Sequence, residues 1–416
     1  MVAMLLLRSK WSVAVAIVVS VSVGVLFCSG YTPSNSGKQS TISDTAYAGT
    51  ASCRSCHQAI YDSFLATAHY RTSRPASAAT IKGSFDSGKN VFSYNPFMQV
   101  RLEAEGEQHF QTVYVNGEPT HRESFDIVVG SGKKGQTFLY WKEAQLYQLP
   151  VSWFVPSQSW CNSPGYPPGM PRFNRLIPAR CIECHGSGAV AETNENNVSY
   201  FDRNSIEYGI SCERCHGPAA AHVNWHTQHP GDKQSKFMQS QDKWTRAQQV
   251  DLCALCHSGI RVPLKPAFSF TAGDRLEDFS RPKYNADSAA MLDVHGNQYG
   301  LMTSSKCFLN SNMTCSSCHD THRQEAGNLA VFSARCLNCH GEGAKAVCKI
   351  NPGNAFVLHE NCIDCHMPLL PSKAIFLQMA DPGKSTADPV RTHFVSVYPD
   401  AMKAFMKQVK RKQKHT

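Results

Sequence analysis

Apolar and polar residues alternate most regularly between Phe85 and Phe154. Four stretches rich in Val, Phe, Tyr and Thr are separated there by turn residues: NVFSYNPFMQVRLEAEG, HFQTVYVNGEP, SFDIVVGSGKKGQTFLYW and LYQLPVSWF. A period of two is typical of strands with one buried face, so we predict an antiparallel β-rich module over residues 85–154. The GSGKKGQT run inside it lacks the G-x-x-x-x-G-K-[ST] spacing, which favours a glycine-rich hairpin over a phosphate loop.

The N-terminal residues follow a different pattern, because basic Arg8 and Lys10 precede an uncharged apolar run from Trp11 to Phe27. This order is typical of an export signal, which we assign to residues 1–28. Three outcomes stay open, in order of preference: lipid attachment at Cys28, an uncleaved anchor helix of about the ~20 residues that a membrane span needs, and simple secretion. Residues 29–46 are rich in Ser, Thr, Gly, Asn and Pro and predict a flexible tether.

A five-residue motif, Cys-x-x-Cys-His, recurs seven times and dominates the rest of the chain. Its cysteines are Cys53, Cys56, Cys181, Cys184, Cys212, Cys215, Cys253, Cys256, Cys315, Cys318, Cys336, Cys339, Cys362 and Cys365, and its histidines are His57, His185, His216, His257, His319, His340 and His366. The spacing suits two thioether bonds to a haem, with the histidine as an axial iron ligand. A zinc ribbon would not need His after every pair, and a redox dithiol would need one site rather than seven. The sequence therefore predicts seven covalently attached haem c groups.

The motif positions predict the domain organisation. We expect a first haem segment at 47–84, the β-rich module at 85–154, a six-haem region at 155–380 and a basic C-terminal tail at 381–416. The chain is only 42% hydrophobic, so haem faces would supply much of the core. The expected fold class is a mainly α and irregular multihaem cytochrome c fold, with short helices and loops packed on haems and a β-rich insert.

Histidines outside the motifs are candidates for the second axial ligand that a low-spin haem needs. His69, His222 and His322 stand out by their setting, and His295, His359 and His393 lie in the haem-rich region. His322 is too close to His319 to bind the same iron, so we expect it to serve a neighbouring haem. A seventh ligand would come from His226, His229, His121 or His109, with Met313 and Met367 as rival ligands.

Four segments carry a family resemblance: YAGTASCRSCHQAIYDSFLATAHYRTS, CERCHGPAAAH, MTCSSCHDTH and CIDCHMP. They resemble the multihaem c-type cytochromes related to the tetrahaem electron acceptor of hydroxylamine oxidation, and larger exported multihaem proteins. The resemblance covers most of the chain from Tyr47 to about Leu370. It implies bis-His haems in closely stacked pairs, with His69, His222 and His322 as distal ligands. The seven motifs depart from the tetrahaem member, and Cys-x-x-Cys-Lys, the motif of the catalytic haem in nitrite-reducing relatives, is absent from the sequence.

The cysteines outside the motifs include Cys307 and Cys348, which bracket two motifs and predict a disulfide in an exported chain. Cys161 stays unassigned, a buried free thiol being the simplest interpretation. The polypeptide has a formal net charge of +9. Each ferric haem with two ionised propionates contributes about −1, which brings the total to roughly +2. A nucleic-acid partner therefore has no support.

Two function classes remain. The first is an electron carrier that exchanges electrons with redox partner proteins outside the cytoplasmic membrane, in the periplasm or at the cell surface, with possible membrane attachment through a Cys28 lipid or an N-terminal helix. The second is an oxidoreductase with one open haem that acts on a small nitrogen or sulfur species. The motif from Cys253 to His257 is the preferred place for such an opening, because the next histidine in the chain is His295. We favour the carrier and assign no catalytic residue.

Overall fold

The computed structural model describes residues 46–239, 241–283, 289–341, 348, 360–379 and 385–413. The predicted signal with Cys28, most of the tether, and His359 lie outside these residues. Within the described ranges, no helix combines the length and apolarity needed to cross a membrane.

Two antiparallel sheets pack together in the region where the sequence predicts the β-rich module. One has the strand order β2-β3-β4-β5, and the other has the order β1-β6-β7-β8-β11, with β9 joining β7 to β10. The strands are β1 Ser73–Pro75, β2 Val91–Asn95, β3 Met98–Glu105, β4 Gln108–Val115, β5 Glu118–Ser124, β6 Ile127–Val129, β7 Gly135–Lys142, β8 Gln145–Gln148, β9 Val151–Phe154, β10 Ser159–Asn162 and β11 Arg175–Leu176. The predicted β-containing insert is therefore present, and its strands extend from residue 73 to residue 176.

Alternating side chains from both sheets form the core of this module. Phe92 and Leu102 of one sheet and Phe138 of the other are fully buried in one cluster, beside Trp160 of β10. Phe92 and Leu102 alternate with more exposed neighbours along their strands, as the period of two requires, whereas Phe138 is followed by buried Leu139 because β7 is covered on both faces. The hydrophobic pattern thus determines which face of each strand turns inward.

The glycine-rich run connects β6 to β7 as the expected hairpin. Gly130 has a φ of +111°, and a Cβ there would lie 2.4 Å from the Gly135 carbonyl oxygen, so the turn requires glycine. Lys134 extends from this hairpin, and its Nζ lies 2.9 Å from a carboxylate oxygen of Asp388. The hairpin therefore contacts the C-terminal part of the chain.

Short helices and two-stranded hairpins make up the remainder. The α-helices are α1 Arg54–Phe64, α2 Ala179–His185, α3 Cys212–His216, α4 Ala220–Gln228, α5 Arg246–His257, α6 Gln298–Thr303, α7 Lys306–Leu309, α8 Leu329–His340, α9 Cys362–His366 and α10 Pro399–Gln413. The hairpins pair β12 Gly186–Gly188 with β15 Glu207–Tyr208, β13 Ala191–Thr193 with β14 Ser199–Phe201, β16 Arg261–Pro263 with β17 Ser280–Pro282, and β18 Leu369–Gln378 with β19 Ser385–Arg391. The expectation of a mainly α fold is thus wrong in emphasis, because chain reversals between the motifs pair as strands.

Helix α10 occupies much of the predicted basic tail. Met402, Phe405, Met406 and Val409 recur at helical spacing and are at least partly buried, whereas Lys403 and Lys407 are exposed. A helix with one apolar side needs a surface to cover that side. Helix α10 packs on α9, which carries the last Cys-x-x-Cys-His motif.

Candidate functional site

The motifs lie on short helical segments that bring both cysteines and the histidine together. In five of the seven motifs the histidine is the last residue of an α-helix: α2, α3, α5, α8 and α9 end at His185, His216, His257, His340 and His366. The first motif begins in a 3₁₀ turn and continues into α1, where His57 has non-helical φ and ψ angles of −117° and 36°. The fifth begins in the 3₁₀ turn Cys315–Ser317. Cysteines three residues apart on a helix share one side, as attachment to one macrocycle requires.

Three motif histidines each face a histidine from a distant part of the chain. The ring centres are 6.1 Å apart for His257 and His69, 6.0 Å for His216 and His322, and 6.1 Å for His319 and His393. A metal lies about 2.0–2.1 Å from an imidazole nitrogen, and the ring centre about 1.1 Å further, so two imidazoles on opposite sides of one metal have centres roughly 6 Å apart. Each pair therefore has the separation that one iron between two rings requires.

Burial favours the neutral form of His69, His216, His257, His319 and His393. It lowers the pKa of His69 to about 4 and that of His393 to about 4, with the neighbouring motif histidines adding to the effect. Burial also lowers the pKa of His216, His257 and His319. A metal binds the unprotonated nitrogen of imidazole, so the protein holds these rings in the ligating form at neutral pH.

Hydrogen bonds to Nδ1 orient several of the candidate ligands. The Nδ1 atoms of His366 and His222 lie 2.9 Å from the Ser396 carbonyl oxygen and 2.8 Å from the Lys236 carbonyl oxygen. Because a carbonyl only accepts, Nδ1 carries the proton in both rings and Nε2 is left as the ligating atom. His185 has a comparable contact, with its Nδ1 2.9 Å from Thr72 Oγ1.

Cysteines of different motifs lie close together, which shows which motifs are neighbours in space. The Cys212 thiol raises the pKa of Cys53, and the Cys315 thiol raises that of Cys253. The Cys184 thiol likewise raises the pKa of Cys256. In the same way, the Cys336 thiol lowers the pKa of Cys362 to about 6. Counted from the N-terminus, the contacts link motif 1 with 3, motif 2 with 4, motif 4 with 5 and motif 6 with 7. Motifs 5 and 6 are linked by Arg335 of α8, the helix that carries motif 6, because its Nη1 donates to the carbonyl oxygen of Cys318 in motif 5 at 2.7 Å.

Buried polar atoms without partners near the motifs test whether these residues fit a haem. Among the described residues, Arg74 Nε and Nη2 near the second motif are buried without a hydrogen-bond partner, and Arg214 Nη2 in the third has only an ion-pair contact of 3.6 Å with Glu183 Oε1. The His257 and His319 rings are exposed in the protein alone, so each borders space that a macrocycle could occupy. Buried polar atoms normally have partners. A macrocycle with carboxylate edges suits such gaps, and the residues therefore fit haem c.

The other predicted ligands lie in varied settings. His222 is on α4, with its ring 4.6 Å from that of His226, whose Nε2 is buried and unpaired within the described structure. His295 is half exposed, with Nδ1 3.7 Å from an Asp388 carboxylate oxygen. The remaining candidates contact the protein instead of a motif: His229 stacks on Trp225, His121 pairs with Glu123, and His109 is buried against Phe85.

The predicted disulfide between Cys307 and Cys348 is wrong, since both are free thiols. The Cys307 thiol raises the pKa of Cys318 in the fifth motif, whereas the Cys348 thiol raises the pKa of Cys365 in the seventh. The two cysteines thus lie beside different motifs. Cys161 is a buried free thiol in the core that β10 shares with β18, and burial raises its pKa to about 12.

Glu213 joins the first and third motifs and was not singled out by the sequence. Its buried carboxylate accepts hydrogen bonds of 2.8 Å from the backbone N–H groups of Ala48, Gly49 and Ala219. It occupies a variable position of the Cys-x-x-Cys-His motif, so no sequence signal distinguishes it from a surface residue. The contact secures the segment before motif 1 against motif 3.

Replacing Glu213 with Ala is therefore expected to destabilise the protein. Three backbone donors lose a charged acceptor, and hydrogen bonds to charged groups contribute about 1.5–3 kcal/mol each, so we expect a loss of about 3 kcal/mol or more in the free energy of unfolding. Denaturant titration followed by circular dichroism measures it. Glu277→Ala is the matched control, because Glu277 is 69% exposed and, within the described structure, forms a surface ion pair with Arg275. Equal stability of both variants would show that the Glu213 contacts are dispensable.

Comparisons with known proteins agree on the type of protein. The family model described as cytochrome c3 matches residues 308–375, and the model described as cytochrome c554 and c-prime matches residues 171–217. These two ranges contain five of the seven motifs. The C-type polyheme cytochrome OmcC of Geobacter sulfurreducens is 26% identical over 160 residues, which are 33% of this chain and 20% of that protein. The chain thus spans about a fifth of this relative's length.

A comparison with solved structures finds the outer cell wall cytochrome OcwA. The match has 17% sequence identity and a TM-score of 0.48, and it covers 86% of this chain and 81% of that one.

Proposed function

We propose that this chain, a multihaem c-type cytochrome, carries electrons along seven covalently attached and mostly bis-His haems outside the cytoplasmic membrane. The observation that carries the proposal is the set of three histidine pairs with ring centres 6.0–6.1 Å apart. Six-coordinate iron has no free position for a substrate, and electron transfer is the chemistry that such a haem supports.

Each facing pair would supply the two ligands of one iron. His216 and His322 would hold the third haem, His257 and His69 the fourth, and His319 and His393 the fifth. His322 would then serve a neighbouring motif, in line with its closeness in sequence to His319. Bound haem supplies the one-electron chemistry, and the protein sets the potential through these ligands, burial and nearby charge.

His222 is the proposed second ligand of the first haem. Helix α4 begins beside the segment that leads into motif 1, because the Ala220 N–H donates to the Ala46 carbonyl oxygen at 3.1 Å. The Lys236 carbonyl fixes the His222 tautomer and leaves Nε2 available. His295, His359 and His226 are then the candidates for motifs 2, 6 and 7.

The thiol contacts support a continuous series of haems with one branch. Motif 4 is the branch point, since its cysteines neighbour those of motif 2 through Cys256 and those of motif 5 through Cys253. The Cys215 thiol of motif 3 also raises the Cys253 pKa, so motif 3, and motif 1 beside it, lie next to motif 4 as well. Electrons would reach motif 4 from motif 2 directly or from motif 1 through motif 3. From motif 4 they would pass through motifs 5 and 6 to motif 7.

The cellular setting is also a proposal. The N-terminal pattern and covalent haem attachment support export to the periplasm or cell surface, with membrane attachment through a Cys28 lipid or an N-terminal helix. A respiratory or extracytoplasmic chain would supply the redox partners, and a relationship to the tetrahaem acceptor of hydroxylamine oxidation is proposed on the quoted segments. Seven haems lower the net charge to roughly +2, so nucleic acid is not a proposed partner.

Haem stoichiometry tests the proposal. The intact mass of the processed protein from a host competent in haem attachment is expected to exceed the polypeptide mass by seven haems. The Cys253→Ala/Cys256→Ala variant should carry six, because one motif then lacks both thioether bonds. A stable unmutated product with five or fewer haems would contradict the proposal.

A further inference from the structure

One six-residue segment, His69 to Arg74, lies between the second and fourth motifs. His69 faces His257 of motif 4 with ring centres 6.1 Å apart. Three residues later, Thr72 contacts the His185 ring of motif 2, and the Ser73 hydroxyl donates to the His185 carbonyl oxygen at 2.5 Å. The segment thus contacts both motifs within a few residues.

Arg74 follows these contacts and has unused hydrogen-bonding groups. It lies on β1, where it pairs with Val128 of β6, and its Nε and Nη2 atoms are buried without a partner among the described residues. Arg74 directly follows Ser73 in β1, so its backbone lies next to the residues that contact His185. A buried, unpaired guanidinium is costly and normally binds an anion.

The charges around Arg74 also favour an anion. Burial is the largest cause that lowers the Arg74 pKa, and the nearby Arg71 guanidinium lowers it further. No carboxylate of the described residues appears among the groups that act on it, and Arg71 Nε is itself occupied by the Leu65 carbonyl oxygen at 2.8 Å. Two guanidiniums therefore lie close together without an acidic partner.

We propose that Arg74 binds a propionate carboxylate of the haem attached to Cys181 and Cys184. The inference rests on the proposed haem attachment and adds a residue that positions the second haem and influences its potential. A carboxylate fits the planar fork of a guanidinium, and a haem attached to Cys181 and Cys184 would supply two such carboxylates at motif 2. A soluble oxyanion has the same chemistry but lacks this attachment.

The test combines resonance Raman spectroscopy with spectroelectrochemistry on the full haem-loaded protein. Arg74→Gln should shift the propionate-bending band of one haem and lower one midpoint potential, because a buried positive charge that favours the ferrous state is lost. Arg74→Lys should keep most of the potential but still shift the band, because an ammonium keeps the charge without the planar fork. Arg122→Gln is the matched control, since Arg122 is an exposed residue on β5 paired with Glu105.

Several outcomes would overturn the inference. One is an Arg74→Gln protein with seven haems by mass whose propionate bands and potentials match those of the unmutated protein. Another is a midpoint potential that responds to added sulfate in the unmutated protein but not in Arg74→Gln, which would assign the site to a soluble oxyanion. Fewer haems in the unmutated protein would instead contradict the proposed function, and the mass measurement separates the two failures.

Discussion

Replacing His322 with Ala is expected to convert one low-spin haem of the ferric protein into a high-spin haem. The His322 ring lies 6.0 Å from that of His216, with the ring planes only 21° apart, and the methyl group of alanine cannot reach the iron. The opened position should bind one carbon monoxide per chain in the ferrous state, whereas the unmutated protein should bind none at this haem. Electron paramagnetic resonance and the carbon monoxide difference spectrum measure the two effects.

His121→Ala is the control for this experiment. His121 lies on β5, pairs with Glu123 and stacks against Phe173, so its loss should leave every haem low-spin. The triple variant His322→Ala/Cys212→Ala/Cys215→Ala should lose the new signal together with the third haem. A high-spin signal that persists without this haem would place His322 on another iron.

Replacing His69 with Ala is expected to open the fourth haem in the same way. This motif is the one that the sequence favours as an open catalytic site, because no histidine follows it closely. In the structure the His69 ring instead comes from the N-terminal segment and faces His257 with the planes 77° apart. Loss of this ring should create one high-spin, carbon monoxide-binding haem.

His69→Met separates a ligand from a packing residue. A methionine thioether can bind haem iron and raises its potential relative to bis-His ligation, so this variant should stay low-spin with one midpoint potential shifted upward. If the unmutated protein already contains a stoichiometric high-spin haem and His69→Ala leaves it unchanged, the oxidoreductase alternative gains support, with the Cys253 to His257 motif as the first to examine.

The sequence by itself determined the candidate attachment sites and the position of the β-rich module. Covalent haem attachment depends on two cysteines and a histidine within five residues, so the chemistry is local and can be recognised without a fold. The strands between Val91 and Phe154 follow from a period of two for the same reason. Both kinds of prediction rest on interactions between near neighbours in the chain.

Only the tertiary structure decided which histidines meet. His322 is three residues from His319 yet faces His216, while His319 faces His393 from beyond the last motif. Cys307 and Cys348 bracket two motifs in sequence but lie beside different ones, which is why the disulfide prediction failed. A second axial ligand carries no local spacing rule, because any chain segment that packs against the haem face can supply it. The packing of distant segments therefore determines which histidine lies opposite each motif histidine, and the local sequence pattern does not specify it.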